Sequence, residues 1–138
     1  MDKIKRFFSE NDQFAKLSGI ELLEVSPGGA KTKMKIEKQH LNGVWVVHGG
    51  AVFTLADFTF AVASNSHGKI AVAVNVSISF LKAAREGYLF AEAKEISRGH
   101  KLSNYQVEVK DEKGDLVAMF QGMAYQKKGD LLDCAKPT

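Results

Sequence analysis

The chain has 138 residues, of which 45% are apolar and 25% charged, and its formal net charge is +3. Those values fit one globular domain spanning 1–138, whose weak positive balance tolerates a polyanionic small molecule. Lysines are spread along the chain rather than clustered with aromatics, which argues against nucleic acid. The lone cysteine, Cys134, excludes an intrachain disulfide and a Cys-based metal site, and His40, His48, His67 and His100 have no ligand spacing, so no metal is expected.

The N-terminal stretch MDKIKRFFSENDQF contains acids and lacks a long apolar core, so it does not read as a secretory leader. No run is long and apolar enough for a membrane-spanning helix, and the cytoplasm is the expected compartment. Residues 2–17 read as an amphipathic helix with Ile4, Phe7, Phe8, Phe14 and Ala15 on one face. Glu10 and Asp12 weaken the basic face that a membrane-surface helix needs, so this helix is expected to pack on the domain.

A strand is expected at 20–26, with Pro27-Gly28-Gly29 as the turn after it. From Ala30 the alternation is clean: Ala30, Thr32, Met34 and Ile36 point one way, Lys31, Lys33, Lys35 and Glu37 the other. The lysine row reads as solvation and edge protection. Residues 40–47 form a loop carrying Asn42-Gly43, a turn signal, and lead into His48-Gly49-Gly50.

An almost wholly apolar run follows, from Ala51 to Ala63, with Asp57 in its middle. A helix apolar on nearly every side is a buried one, and burying an unpaired carboxylate is unfavourable. At 100° per residue, Gly50, Thr54, Asp57, Ala61 and Ser64 share a stripe, with Val52, Leu55, Thr59 and Val62 opposite. Asp57 therefore belongs to a small, partly polar face, flanked by Phe53 and Phe60, that can line a pocket. The alternative is a core aspartate satisfied by backbone or hydroxyl groups. At the helix start, backbone N–H groups lack intrahelical partners and the dipole favours negative charge. Gly49 and Gly50 leave those donors open to a ligand such as an acyl-transfer oxyanion, or simply make a tight turn. Gly49 and Asp57 lie eight residues apart, roughly 12 Å along a helix, too far to meet one carbonyl easily. A shared site is expected, with Gly49 of one protomer facing Asp57 of another across a two-fold axis.

In the next strand, expected over 70–81, Ile70, Val72, Val74, Val76, Ile78 and Phe80 form one face and small or polar residues the other. Strands at 88–97, 102–111 and 116–126 follow, separated by turns at 85–87, 98–100 and 112–114. Four consecutive strands favour an antiparallel meander, giving an α+β domain with one long helix across a curved sheet. The segment 128–138 lacks a pattern and is expected to fray.

The stretch HGGAVFTLADFTFAVASNS resembles the signature of hotdog-fold acyl-CoA thioesterases, most closely the phenylacetate-pathway type. Asn42, His48, Gly49 and Asp57, nine residues past the histidine, each match, and the resemblance spans about residues 14–127. It implies a hotdog fold, a curved antiparallel sheet wrapped around one long central helix. It implies an acyl-CoA substrate and no separate cofactor, coenzyme A being part of the substrate. It also implies a homodimer or dimer of dimers with sites at the subunit interface. Gly49 would bind the carbonyl oxygen, Asp57 would attack it or activate water, and Asn42 and His48 would position the thioester or the water. Gly50, Phe53, Thr54, Phe60 and Ala61 are expected to contact the acyl group. Lys82, Arg98, Gly99 and Lys101 are candidates for the coenzyme A phosphates by analogy, or ordinary solvated turn residues. A near-normal Asp pKa of about 3.9 would make a weak base, and desolvation by Phe53 and Phe60 is expected to raise it. A non-catalytic acyl-CoA-binding module and a hotdog dehydratase or hydratase stand as alternatives. Intact Asp57 with Gly49 speaks against the first, and no suitably placed His–acid pair is evident for the second.

Overall fold

The computed structural model describes residues 1–134. The N-terminal segment is two helices, α1 (Asp2–Asn11) and α2 (Gln13–Leu17), rather than one. The break lies at Asp12, whose backbone is extended and whose carboxylate accepts the Ala15 N–H at 3.0 Å, capping α2. Ile4, Phe8 and Ala15 are buried as expected. Phe14 is not, because the break turns α2 and leaves its ring 61% exposed.

Six strands follow: β1 (Ile20–Ser26), β2 (Gly29–Lys35), β3 (Lys69–Phe80), β4 (Tyr88–Arg98), β5 (Leu102–Lys110) and β6 (Leu116–Asp130). They form one antiparallel sheet in the order β1-β2-β4-β5-β6-β3. The meander therefore holds for β4, β5 and β6 only. Strand β3 crosses to the far edge beside β6, and β4 returns to pair with β2. The reason is the long helix α3 (Gly49–Ser64), which leaves β2 and delivers the chain at the opposite side of the sheet.

Helix α3 touches all six strands. A flat sheet of six strands is about 24 Å wide, more than twice a helix diameter. The sheet is therefore wrapped around the helix, as the resemblance implies. Ala30, Thr32 and Met34 of β2 are buried toward it, and the lysine row faces solvent, as the alternation requires. On β4 and β6 the floor is small: Ala91, Ala93, Ala118, Gly122 and Ala124 are buried there. Gly122 is the tightest point, since a Cβ added there would lie 2.7 Å from Phe60 Cε1.

The C-terminal end of α3 is pinned to the sheet. Asn65 Nδ2 donates to Ala61 O and Ala71 O, and its Oδ1 accepts the Ala71 N–H. Nearby, Glu95 Oε2 accepts the Tyr105 hydroxyl and pairs with His67 Nε2, each at 2.7 Å.

Two expectations about strands need correction. The apolar face of β3 is not continuous, because a bulge between Ala73 and Asn75 makes Val74 an extra residue. Val76, Ile78 and Phe80 pair with the inward Gly122, Phe120 and Ala118, whereas Val72 pairs with the outward Tyr125. As the edge strand, β3 leaves Val72 and Val74 exposed, and Phe80 as well. Residues 128–134 do not fray: β6 continues to Asp130, which pairs with Lys69, and Leu131 is buried. The rest of the expected tail, 135–138, lies outside the described residues.

Candidate active site

The site begins in the loop before α3. Asn42 Oδ1 accepts the N–H groups of Val44 and Val46 at 3.0 and 3.2 Å, and Asn42 N–H donates to Val46 O. The loop is closed by a bridge between Leu41 and Val47. Asn42 thus holds the loop with its carbonyl oxygen. Its side-chain N–H₂ has no partner among the described residues and faces no competing bond.

His48 caps α3. Its Nδ1 accepts the Gly50 N–H at 2.8 Å, so in the neutral imidazole the proton sits on Nε2, which is left as a donor. The Gly50 amide is consequently occupied. The Gly49 N–H has no acceptor among the described residues and lies on the N-terminal turn, where the helix dipole favours an anion. A side chain at position 49 would come within 3.3 Å of the Phe80 ring, so glycine keeps that turn close to β3.

Along α3, Gly50 is exposed and Thr54, Asp57 and Ala61 are half-buried, so four members of the expected stripe form an open face in the single chain. Ser64, the fifth, is buried. Thr54 donates its hydroxyl to Gly50 O. Phe53 is half-buried with its ring centroid 5.7 Å from that of Phe120. Phe60 does not line this face. It is 1% exposed, wedged between Tyr105 and Phe120 over Gly122, and serves the core.

The four expected nucleotide contacts separate. Lys82 lies beside the helix start, but its ammonium is held by Asp111 and Asp115 at 2.7 and 2.6 Å. Arg98, Gly99 and Lys101 lie at the other end of the sheet. Lys101 O accepts the Gln126 N–H, and Gln126 pairs with Ala71, which binds Asn65 at the C-terminal end of α3. Among the described residues no three His, Cys, Asp or Glu side chains gather to hold a metal ion.

The Thioesterase superfamily profile matches residues 46–118, a span that runs from the loop before α3 through β5 into β6. The chain belongs to the Thioesterase superfamily. It is 44% identical over 131 residues to an Archaeoglobus fulgidus protein described only as a candidate esterase, covering 94% of this chain and 85% of that one. It is 37% identical over 123 residues to acyl-coenzyme A thioesterase PaaI of Escherichia coli, covering 88% of each. The structure of the E. coli PaaI protein from the phenylacetic acid degradation operon superposes with a TM-score of 0.89 at 34% identity, covering 94% of this chain and 96% of that one.

In this thioesterase, burial raises the pKa of Asp57 above the ordinary carboxylate value, and the negative charge of Asp12 raises it further. Desolvation was foreseeable from the apolar run. The contribution of Asp12 was not, because the packing of α1 and α2 against α3 is what brings together residues 12 and 57. An ionised Asp57 is therefore a stronger base than a free aspartate.

Proposed function

We propose that this thioesterase hydrolyses the thioester of an aryl-acyl or medium-chain acyl-CoA to the free acid and coenzyme A. The thioester carbonyl oxygen accepts the Gly49 N–H, where the helix dipole stabilises the oxyanion of the tetrahedral intermediate. Asn42 Nδ2 and His48 Nε2, both donors without partners among the described residues, orient the thioester or the water. Asp57 either removes a proton from the attacking water or attacks the carbonyl itself. In both routes the C–S bond breaks, the thiolate leaves and takes up a proton, and only water is consumed.

The observation that carries this reading is the Gly49 amide, without an acceptor among the described residues, at the start of the open helix face that holds Asp57. Their spacing of roughly 12 Å exceeds the reach of one aspartate. We therefore assign the two halves of each site to different subunits of a homodimer or a dimer of dimers. The exposed apolar edge of β3, next to Gly49 through Phe80, supports pairing there, since such an edge is otherwise an aggregation hazard. Gly50, Thr54 and Ala61 border the acyl group, with Phe53 at its rim. Arg98, Gly99 and Lys101 can serve the nucleotide only from a second subunit, and Lys82 only by exchanging Asp111 and Asp115 for a phosphate.

A panel of aryl-acetyl and alkyl acyl-CoA esters, assayed for released thiol, tests the substrate class. Turnover of at least one series is expected, and binding without thiol release across the panel would instead favour a non-catalytic module. Single turnover in isotopically labelled water separates the two routes. Label in the Asp57 side chain with an unlabelled product acid marks an acyl-aspartyl anhydride opened at the aspartyl carbon, and label in the product acid with no acyl-aspartyl adduct trapped by hydroxylamine marks a general base.

A further inference from the structure

A groove of about 340 Å³ opens at the start of α3, lined by Gly49, by Val46 and Val47 of the preceding loop and by Lys82, Ala83 and Ala84 of the loop after β3. The two loops are joined by the Val47 N–H, which donates to Ala84 O at 2.8 Å. One residue beyond each lining stretch stands a side chain that the catalytic account leaves unused: Trp45 on one side and Arg85 on the other.

Trp45 is 63% exposed although it is the largest apolar side chain in the sequence. Its φ is +62°, the left-handed region, and it is the one non-glycine there among the described residues. A bulky residue in that conformation is strained, and a glycine or asparagine would fold more easily. The loop nevertheless fixes it, through the Trp45 N–H to Asn42 O at 3.1 Å and the two bonds to Asn42 Oδ1 on either side. The outcome is a fixed backbone that presents the indole to solvent. Arg85 is also exposed and makes no ion pair among the described residues.

An exposed aromatic plane and an unpaired guanidinium, one on each of the two joined loops that border the groove, suit a ligand that carries a flat base and phosphates. Acyl-CoA has both at the end remote from its thioester, joined by a pantetheine arm that a mainly apolar groove can accept. Gly49 lies four positions after Trp45, a backbone reach of at most about 14 Å, the scale of that arm. The acyl end is a poorer occupant, because it needs a desolvated pocket and this indole faces water.

We propose that Trp45 and Arg85, carried by the two loops that border this groove, receive the adenine-nucleotide end of the substrate, on the same chain that supplies Gly49. The proposal rests on the acyl-CoA reading of the site.

Trp45 is the only tryptophan in the chain, so intrinsic tryptophan fluorescence reports on it alone. Free coenzyme A is expected to quench the emission of the full-length protein saturably, and free pantetheine is not. Arg85→Gln, which keeps the fluorophore, is expected to weaken the coenzyme A quench severalfold. In steady state, Trp45→Ala is expected to raise KM for acyl-CoA about tenfold, the scale of one lost base stack, and KM for the matching acyl-pantetheine ester less than twofold. Trp45→Phe is expected to fall between. Emission indifferent to coenzyme A would overturn the proposal. So would an equal rise in both KM values, or a blue-shifted emission that moves red on dilution, which would mean that a second copy covers the indole. If coenzyme A quenches Trp45 but no thioester is cleaved, the catalytic reading fails and the nucleotide platform stands.

Discussion

Gly122→Ala tests how the sheet positions the helix that carries the carboxylate. The added Cβ would lie 2.7 and 2.8 Å from two atoms of the Phe60 ring, against 3.4 Å for ordinary contact. The ring must recede by the difference between 3.4 and 2.7 Å, or about 0.7 Å. It has little room, being 1% exposed with the Tyr105 and Phe120 centroids 5.6 and 5.5 Å away. Such overpacking costs about 1–3 kcal/mol, of which better strand propensity returns roughly 0.5–1. A net loss of about 1–2 kcal/mol lowers Tm by roughly 4–8 °C in a chain of this length. Phe60 is one turn beyond Asp57 on α3, so the same displacement moves the carboxylate. A shift of that size is expected to reduce kcat/KM by roughly 10–100-fold. Thermal denaturation followed by circular dichroism, at one protein concentration, reads the first effect and thiol release the second. Phe60→Leu in the Gly122→Ala background makes space and is expected to restore part of both. A Gly122→Ala protein that melts and turns over like the parent refutes the seating argument, as does a double variant whose losses simply add.

Three further outcomes follow from the same contacts. Thr59→Val removes the hydroxyl that accepts from Thr32 across a 2.7 Å bond in a fully buried site. Chemical denaturation should show a loss of about 1–3 kcal/mol, with Thr32→Val/Thr59→Val losing less than the two single changes together. Asp12→Asn removes the charge that raises Asp57 but keeps a residue able to cap α2, so the acid limb of the kcat/KM profile should move to lower pH with the helix content unchanged. Because Asp57 has a folded pKa above the 3.8 of a free aspartate, the native chain binds its proton more tightly than the unfolded chain. That contribution is lost as pH rises above 3.8 through the raised value, so Asp57→Asn should be the more stable protein at neutral pH and lose its advantage below pH 3.8.

The parts of this fold legible in the sequence are those with local causes. The alternation of Ala30, Thr32 and Met34 with lysines marks β2, and Gly49-Gly50 before an apolar run marks the start of α3. The open stripe of Gly50, Thr54, Asp57 and Ala61 follows from helical geometry alone. What was illegible depends on residues far away in the chain. Val74 carries no mark of the bulge that turns the β3 face over. Phe60 resembles a pocket residue until Gly122, on the last strand, is seen to leave a seat for its ring. The lysine-rich end of β6 has no strand pattern, yet the backbone of Lys69 extends it. Lys82 offers a free cation in the sequence and a neutralised one in the fold, because the turn after β5 brings Asp111 and Asp115 to it.

The most direct test is acyl-CoA turnover by Asp57→Asn, which keeps the size of the side chain and removes its charge. Loss of the base or nucleophile is expected to lower kcat by about 10²–10⁴-fold while the protein stays folded. Turnover within tenfold of the parent, on a substrate that the parent cleaves, would show that the helix carboxylate does not perform the chemistry.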